Sequence, residues 1–162
     1  MQLKKFIRVH QPKIKHSQVI NVSFGENVTY VEPVNLYGCT LGANTFIGPF
    51  VEIQANAKIG NNCKVQSHSF ICELVEIGNG CFISHGVMFV NDLFSKGKPA
   101  GGNKDLWKST RIGNHVSIGS NATILPVVIC DHAVIGAGAV VTKDISVPGI
   151  YAGNPAKKIR DL

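Results

Sequence analysis

The sequence predicts an all-β fold, a parallel β-helix built from six-residue units. The first observation is a period of six, since every sixth residue from Leu41 to Phe89 is apolar. The second is that a small residue lies four residues after each of these positions from Leu41 to Ile83, as Cys81 follows Ile77. This period matches neither an amphipathic helix nor an alternating strand, and it is typical of a short strand and a turn in repetition.

Three such units close one triangular coil of 18 residues, with the large apolar side chains inside. Successive coils then stack at the strand spacing of about 4.8 Å and bury one another's faces. The repeat covers about 19–145, so we expect a single domain over 1–162 with a short C-terminal tail at 146–162. The period shortens by one residue at two steps, Leu36 to Leu41 and Ile124 to Ile129, and one long interruption predicts an extruded loop at 92–109.

Composition excludes several classes of protein. No apolar run approaches the roughly 18 residues of a membrane helix, and the basic start lacks the apolar segment of a signal peptide, so we expect a cytoplasmic protein without a membrane partner. Five cysteines without CxxC spacing predict neither a disulfide framework nor a zinc site. The net charge of +6 comes mostly from the termini and aromatic residues are sparse, which favours small phosphorylated ligands over nucleic acid.

The coil length predicts which side chains stack. Glu73 and Asn91 are 18 residues apart and should lie on one corner of successive coils, about 5 Å apart. Ser67 and His85 have the same spacing on a different corner, with His68 one residue further round. His85 and Glu73 can therefore share a site only if a neighbouring subunit brings its own corner alongside, as a closed trimer would do three times.

The loop at 92–109 leaves from the corner of Glu73 and Asn91. Insertions in solenoids cluster on the binding face, and long loops in compact domains are usually functional. Three glycines, four lysines and a tryptophan suit a flexible segment that folds over a diphosphate and a ring. The alternative is a solvated excursion with its tryptophan packed against the coil. The candidate substrate-binding residues of the loop are Lys104, Trp107 and Lys108.

Two segments near the C-terminus carry a family resemblance. "IGSNATILPVVICDHAVIGAGAVVTKDI" (118–145) and "AGNPAKKIR" (152–160) resemble the acetyl-coenzyme A segment of the hexapeptide acyltransferases. The resemblance implies a left-handed β-helix, a homotrimer with active sites between subunits, acetyl-CoA as co-substrate and no metal. Coenzyme A would lie between neighbouring solenoids, against small residues and backbone amides. The implied cofactor-binding residues are Ser120, Ala137, Lys143, Pro155, Lys157, Lys158 and Arg160.

A narrower resemblance lies around the break in the repeat. "SHSFICELVEIGNGCFISHGVMFVNDLF" (67–94) and "GNKDLWK" (102–108) resemble acetyltransferases that act on nucleotide-linked 3-amino sugars. The implied activity is N-acetylation of the 3-amino group of a dTDP-linked 3-amino-3,6-dideoxyhexose, giving an acetamido sugar. The nucleotide sugar is the implied substrate.

Acetyl transfer from a thioester needs a nucleophile, a site for the oxyanion and a destination for the proton. An amine is nucleophilic once neutral, so a carboxylate or amide that orients it suffices, and the leaving thiolate can accept a proton. Asn91, Asp92 and Glu73 suit that task, with His85 as candidate base or orienting group and His68 as a substrate-binding residue. Polar residues at a β-helix corner are otherwise simply solvent-facing, which is the alternative for Glu73 and His68. The oxyanion would meet backbone N–H groups near Gly86 or Ser120.

Two other functions stay open, and a third is disfavoured by the histidine spacing. An O-acetyltransferase acting on a sugar or another small alcohol has the same fold. A γ-class carbonic anhydrase needs three zinc-bound histidines, two of them five residues apart, and the histidines here lack that pair. A non-catalytic solenoid scaffold explains the repeat but not the lysine-rich loop.

Overall fold

Residues 16–162 are described by the computed structural model, and nearly all of their regular structure is short β-strand. In chain order the first strands are β1 Val19–Ile20, β2 Ser23–Phe24, β3 Thr29–Tyr30, β4 Asn35–Tyr37, β5 Thr40–Leu41, β6 Phe46–Ile47, β7 Glu52–Ile53, β8 Lys58–Ile59, β9 Lys64–Val65 and β10 Phe70–Ile71. The remaining strands are β11 Val75–Ile77, β12 Phe82–Ile83, β13 Met88–Phe89, β14 Thr110–Ile112, β15 Ser117–Ile118, β16 Thr123–Ile124, β17 Val128–Ile129, β18 Val134–Ile135, β19 Val140–Val141, β20 Ile150–Ala152 and β21 Lys157–Arg160.

The strands form three sheets, because each strand of the repeat pairs in parallel with the strand three places further along the chain. Sheet A contains β1, β4, β7, β10, β13, β16 and β19. Sheet B contains β2, β5, β8, β11, β14 and β17, and sheet C contains β3, β6, β9, β12, β15 and β18, extended by β20 and β21. The chain thus passes from sheet A to B to C in every coil, which confirms the predicted parallel β-solenoid.

The interior of the solenoid consists of the apolar positions of the repeat. In sheet A, Leu36 pairs with Ile53 and Ile53 with Ile71, and all three side chains are fully buried. Small buried residues such as Ala57 and Cys63 occupy the corners, where the turning chain leaves little room. Every coil therefore covers the face of the next, and truncating one interior isoleucine to alanine would cost about 2–5 kcal/mol.

The apolar side chains of the first described coil are less buried than those of the later coils. Phe24 and Tyr30 occupy interior positions of the repeat, in register with Leu41 and Ile47, yet they are 45% and 38% exposed. Their rings lie against each other with centroids 6.1 Å apart. The exposure follows from position, since the first coil that the structure describes has a neighbouring coil on one side only.

Three corners connect the sheets, named here after the sheets that they join. Corner CA lies between a strand of sheet C and the next strand of sheet A, and corners AB and BC are defined in the same way. Most corners place one residue in the left-handed backbone region, usually Asn, Gly or His, as at Asn62 (φ 56°) and His115 (φ 55°). These residue types tolerate that conformation best. Phe50 (φ 61°) and Leu74 (φ 69°) are bulky exceptions.

Two segments leave the repeat. The chain leaves corner AB after β13 and returns at β14, and the loop between them contains a short 3-10 helix, Lys104–Leu106. At the C-terminus, β20 continues sheet C and β21 folds back antiparallel on β20. No helix in the part of the chain described, 16–162, is long and apolar enough to cross a membrane.

Candidate active site

Corner CA holds the histidine that the sequence singled out. The pairing of β9 with β12 places His85 one coil beyond Ser67, and the Ser67 hydroxyl lies 2.9 Å from Nδ1 of His85. The direction of this hydrogen bond depends on the imidazole tautomer. In either direction it orients the ring and leaves Nε2 available for other partners, which is the arrangement that a base or an orienting group needs.

The coil above His85 closes over this corner. The amide of Asn121 donates to the carbonyl oxygen of His85 at 2.9 Å, and the hydroxyls of Ser84 and Ser120 lie 2.8 Å apart. The side-chain oxygen of Asn121 occupies the space where a Cβ on Gly86 would lie, so a larger residue at position 86 would have to displace it. These contacts with the next coil therefore hold corner CA in place around His85.

Two aromatic rings lie below His85 on the same corner. The rings of Phe50 and His68 are stacked, with centroids 4.8 Å apart and an interplanar angle of 27°. His68 follows Ser67 directly, so it lies one coil below the level of His85. The sequence analysis did not single out Phe50. An aromatic residue at a corner position that Asn, Gly or His occupies in other coils was a signal that could have identified it.

Corner AB holds the second polar group. The side-chain amide of Asn91 donates to the carbonyl oxygen of Glu73 at 3.2 Å, which confirms that the two residues stack on one corner. The Glu73 side chain is only 12% exposed, and Lys104 Nζ lies 2.8 Å from both of its carboxylate oxygens. Lys104 also lies over the ring of Trp107, 5.3 Å from its centroid. The loop thus folds back onto the corner it leaves, through a contact that the repeat could not predict.

Asp92 organises the base of this loop. Its two carboxylate oxygens accept hydrogen bonds from the backbone amides of Phe94, at 2.9 Å, and Ala100, at 2.7 Å. The amide of Lys108 donates to the carbonyl oxygen of Asn91 at 2.9 Å and closes the loop. A structural role for Asp92 is therefore visible, and its part in chemistry stays a prediction.

The two polar groups lie at opposite ends of one strand. His85 precedes β13 on corner CA, whereas Asn91 follows β13 on corner AB. Both residues belong to the same coil and lie at the same height along the solenoid. Within one chain the structure does not bring them together, as the coil length predicts.

Burial raises the pKa values of three groups near corner AB. The pKa of Tyr37 is raised by burial and by the negative charges of Glu52 and Glu73. Burial also raises the pKa of the Cys72 thiol to about 12 and that of Cys39 to about 11. These thiols stay protonated at neutral pH, which removes them as candidate nucleophiles. Within 16–162, no three His, Cys, Asp or Glu side chains are grouped so that they could bind a metal ion.

The candidate coenzyme A residues lie in three places. Ser120 and Ala137 continue corner CA above His85, where Gly119 packs tightly under the backbone of Ala137. Lys143 is exposed after β19, on corner AB. The tail places Pro155 before β21, which contains Lys157, Lys158 and Arg160, and the pKa of Lys158 is raised by its hydrogen bond to Asp161, 2.6 Å away.

Comparison with known proteins identifies the repeat. Residues 38–73 match the family described as "Bacterial transferase hexapeptide (six repeats)", and residues 109–143 match "Hexapeptide repeat of succinyl-transferase". The bifunctional protein GlmU of Agrobacterium fabrum is 32% identical over 141 residues, which cover 78% of this chain and 29% of GlmU. The chain thus spans less than a third of the length of this curated relative.

Solved structures share the fold. A mutant of the N-acyltransferase AntD from Bacillus cereus, in complex with dTDP and coenzyme A, superposes with a TM-score of 0.76 at 23% identity, covering 88% of this chain and 85% of that one. PerB from Caulobacter crescentus, in complex with coenzyme A and GDP-perosamine, superposes with a TM-score of 0.63 at 19% identity, covering 88% and 57%. The two family matches therefore show hexapeptide repeats at 38–73 and 109–143, and the solved structures, each under 25% identical, show the same fold.

Proposed function

We propose that the chain is an acetyl-CoA-dependent N-acetyltransferase whose acceptor is the 3-amino group of a dTDP-linked 3-amino-3,6-dideoxyhexose. One observation carries the proposal: a hydrogen-bonded histidine precedes β13, and Asn91, whose side-chain amide donates to the backbone carbonyl oxygen of Glu73, follows β13 where the loop leaves the repeat. The structural likeness to AntD and PerB, which were solved with coenzyme A and a nucleotide or nucleotide sugar, supports the substrate class.

The outer faces of the sheets favour a homotrimer. Sheets A and C flank corner CA and present Phe70, Met88 and Phe82 outward. The middle of sheet B presents charge instead, with Lys58 and Arg111 paired to Glu76 at 3.0 and 3.7 Å. Apolar faces favour burial between subunits, whereas a charged face favours water. We therefore infer that corner CA points toward a neighbouring subunit.

A three-fold axis parallel to the solenoid preserves the height of every coil. His85 of one subunit and Asn91 of the next are then level, because the two residues belong to one coil. Glu73 lies one coil below Asn91. In the proposed trimer, these three side chains surround one acceptor amine at each of three equivalent interfaces.

In the proposed reaction, the neutral amine attacks the thioester carbonyl carbon. The C–N bond forms and the C–S bond breaks through a tetrahedral oxyanion. Gly86 N–H already donates to the carbonyl oxygen of Ser67 at 3.0 Å, so the amide of Ser120 is the better candidate for holding the oxyanion. One amine proton passes to His85 and from there to the departing thiolate, which leaves as the free thiol of coenzyme A.

The direct test measures release of the coenzyme A thiol by the purified chain with dTDP-linked 3-amino sugars and with matched 3-hydroxy sugars. The proposal expects turnover with the amines alone. Turnover with the hydroxyl acceptors would instead show an O-acetyltransferase. Absence of both turnover and coenzyme A binding would show a scaffold.

A further inference from the structure

Phe50 is an aromatic residue in a backbone conformation that aromatic residues rarely adopt. Its φ of 61° lies in the left-handed region, which Gly, Asn, Asp and His tolerate and which other bulky side chains rarely adopt. The equivalent positions of corner CA in the following coils are His68, Gly86, Asn121 and Gly138, all types that tolerate the conformation. Strain of this kind persists where another interaction requires the side chain, and it concentrates at ligand sites.

Packing in the core does not explain Phe50. Its side chain is 57% exposed, while the next residue, Val51, is buried in the interior of the coil. The contact that the ring makes is with another ring on the same corner, His68, at 4.8 Å between centroids. Two stacked rings on an exposed corner present a flat π surface rather than an apolar plug.

A pocket of about 260 Å³ opens beside Phe50 on the N-terminal side of the corner. Pro33, Val34 and Asn35 line the pocket from the coil below, and Glu52 lines it from sheet A. His68 covers Phe50 from the opposite, C-terminal side. The pocket therefore offers space for a flat group next to the ring, together with polar side chains that could bind its edge.

We propose that Phe50, supported by His68 on its other face, binds the base of the acceptor nucleotide by aromatic stacking, an inference that rests on the proposed function. Phe50 lies two coils below His85, which corresponds to about 10 Å at strand spacing. A ribose and a diphosphate separate a base from its hexose by a comparable length. Above His85, corner CA instead carries the small residues Ser120 and Ala137, which suit coenzyme A. Acceptor and donor thus approach His85 from opposite ends of one corner.

The test compares Phe50→Asn with the unchanged chain by calorimetric titration of dTDP, UDP and GDP, each alone, and of coenzyme A. Asn is favoured in the left-handed region, so the melting temperature should stay equal or rise. Affinity for the preferred nucleotide should fall roughly 5- to 150-fold, the effect of removing one base–aromatic stack. Affinity for coenzyme A should not change. Phe50→Tyr retains a ring and should retain nucleotide affinity.

His132→Asn is the matched control, because His132 occupies the same left-handed position on corner BC (φ 61°) and should leave both affinities unchanged. Unchanged nucleotide affinity in Phe50→Asn would overturn the proposal. So would dissociation of the oligomer in Phe50→Asn, which would show that the ring packs against another copy of the chain. A chain that binds nucleotide through Phe50 but acetylates no amino sugar would refute the proposed reaction and leave the stacking site intact.

Discussion

The Ser67 hydroxyl lies 2.9 Å from Nδ1 of His85, although 18 residues separate them in sequence. One full coil of the solenoid brings the two side chains together, and every coil repeats the same geometry. A histidine on a solvent-facing turn would rotate freely. Here the solenoid supplies a rigid neighbour for one ring nitrogen and directs the other outward, so Ser67 is a positioning residue for His85.

Replacing Ser67 by Ala should lower kcat/KM for the amino sugar roughly 2- to 13-fold, the effect of one ordinary hydrogen bond. Ser67→Thr keeps the hydroxyl and should recover most of the activity. Ser84→Ala, which removes a hydroxyl that contacts Ser120 instead, is the control and should retain kcat/KM. An unchanged kcat/KM in Ser67→Ala would show that Ser67 does not position His85.

Replacing Lys104 by Ala removes the cation held by the mostly buried carboxylate of Glu73. Stability should fall by about 1 kcal/mol or less, because Lys104 itself is largely exposed. The loop should open more often, so its amides should exchange hydrogen faster and KM for the amino sugar should rise. Lys98→Ala changes an exposed lysine in the same loop and serves as the control. Equal exchange in the two variants would contradict a role for the Glu73–Lys104 pair in holding the loop.

Replacing Asp92 by Asn separates its structural role from its predicted catalytic one. The amide group can accept only one of the two backbone hydrogen bonds that the carboxylate accepts, so the amide of Phe94 or Ala100 should lose protection from hydrogen exchange. Activity should fall together with that protection. If activity is lost while both amides stay protected, Asp92 acts on the substrate directly.

The buried thiol of Cys72 predicts a loss of stability in alkali. Its pKa is raised in the folded chain from an ordinary value of 9.0 to about 12, so the unfolded chain releases the proton first. The contribution is complete below pH 9 and disappears as the pH rises toward 12. Melting temperatures from pH 7 to 10.5 should therefore fall, and less steeply in Cys72→Ala. Identical slopes in the two proteins would show that the thiol does not contribute.

The repeat accounts for what the sequence could predict. An apolar residue at every sixth position requires a coil, and the coil length then stacks Asn91 over Glu73 and His85 over Ser67. The contacts of the loop at 92–109 do not follow from the six-residue period. The contacts of Lys104 with Glu73 and of Asp92 with Ala100 join residues 31 and 8 positions apart, and neither spacing belongs to the period.

The sequence also did not predict how burial depends on the position of a coil along the solenoid. The period treats Phe24 like any other interior residue, yet the first described coil leaves it exposed. The stacking of Phe50 on His68 depends on side-chain direction at a corner, which hydrophobic spacing does not determine.

Mixed trimers test the central claim, that one site combines His85 of one subunit with Glu73 and Asn91 of the next. Two variants, His85→Ala and Glu73→Ala, are each expected to be nearly inactive. Co-expressed with different affinity tags and purified through both, they should form trimers in which some interfaces carry both intact side chains. Every trimer that carries both tags contains two copies of one variant and one of the other, so one of its three sites is complete and thiol release should recover to about a third of the wild-type rate. Mixed trimers no more active than either variant alone would place the site within a single subunit and contradict the account.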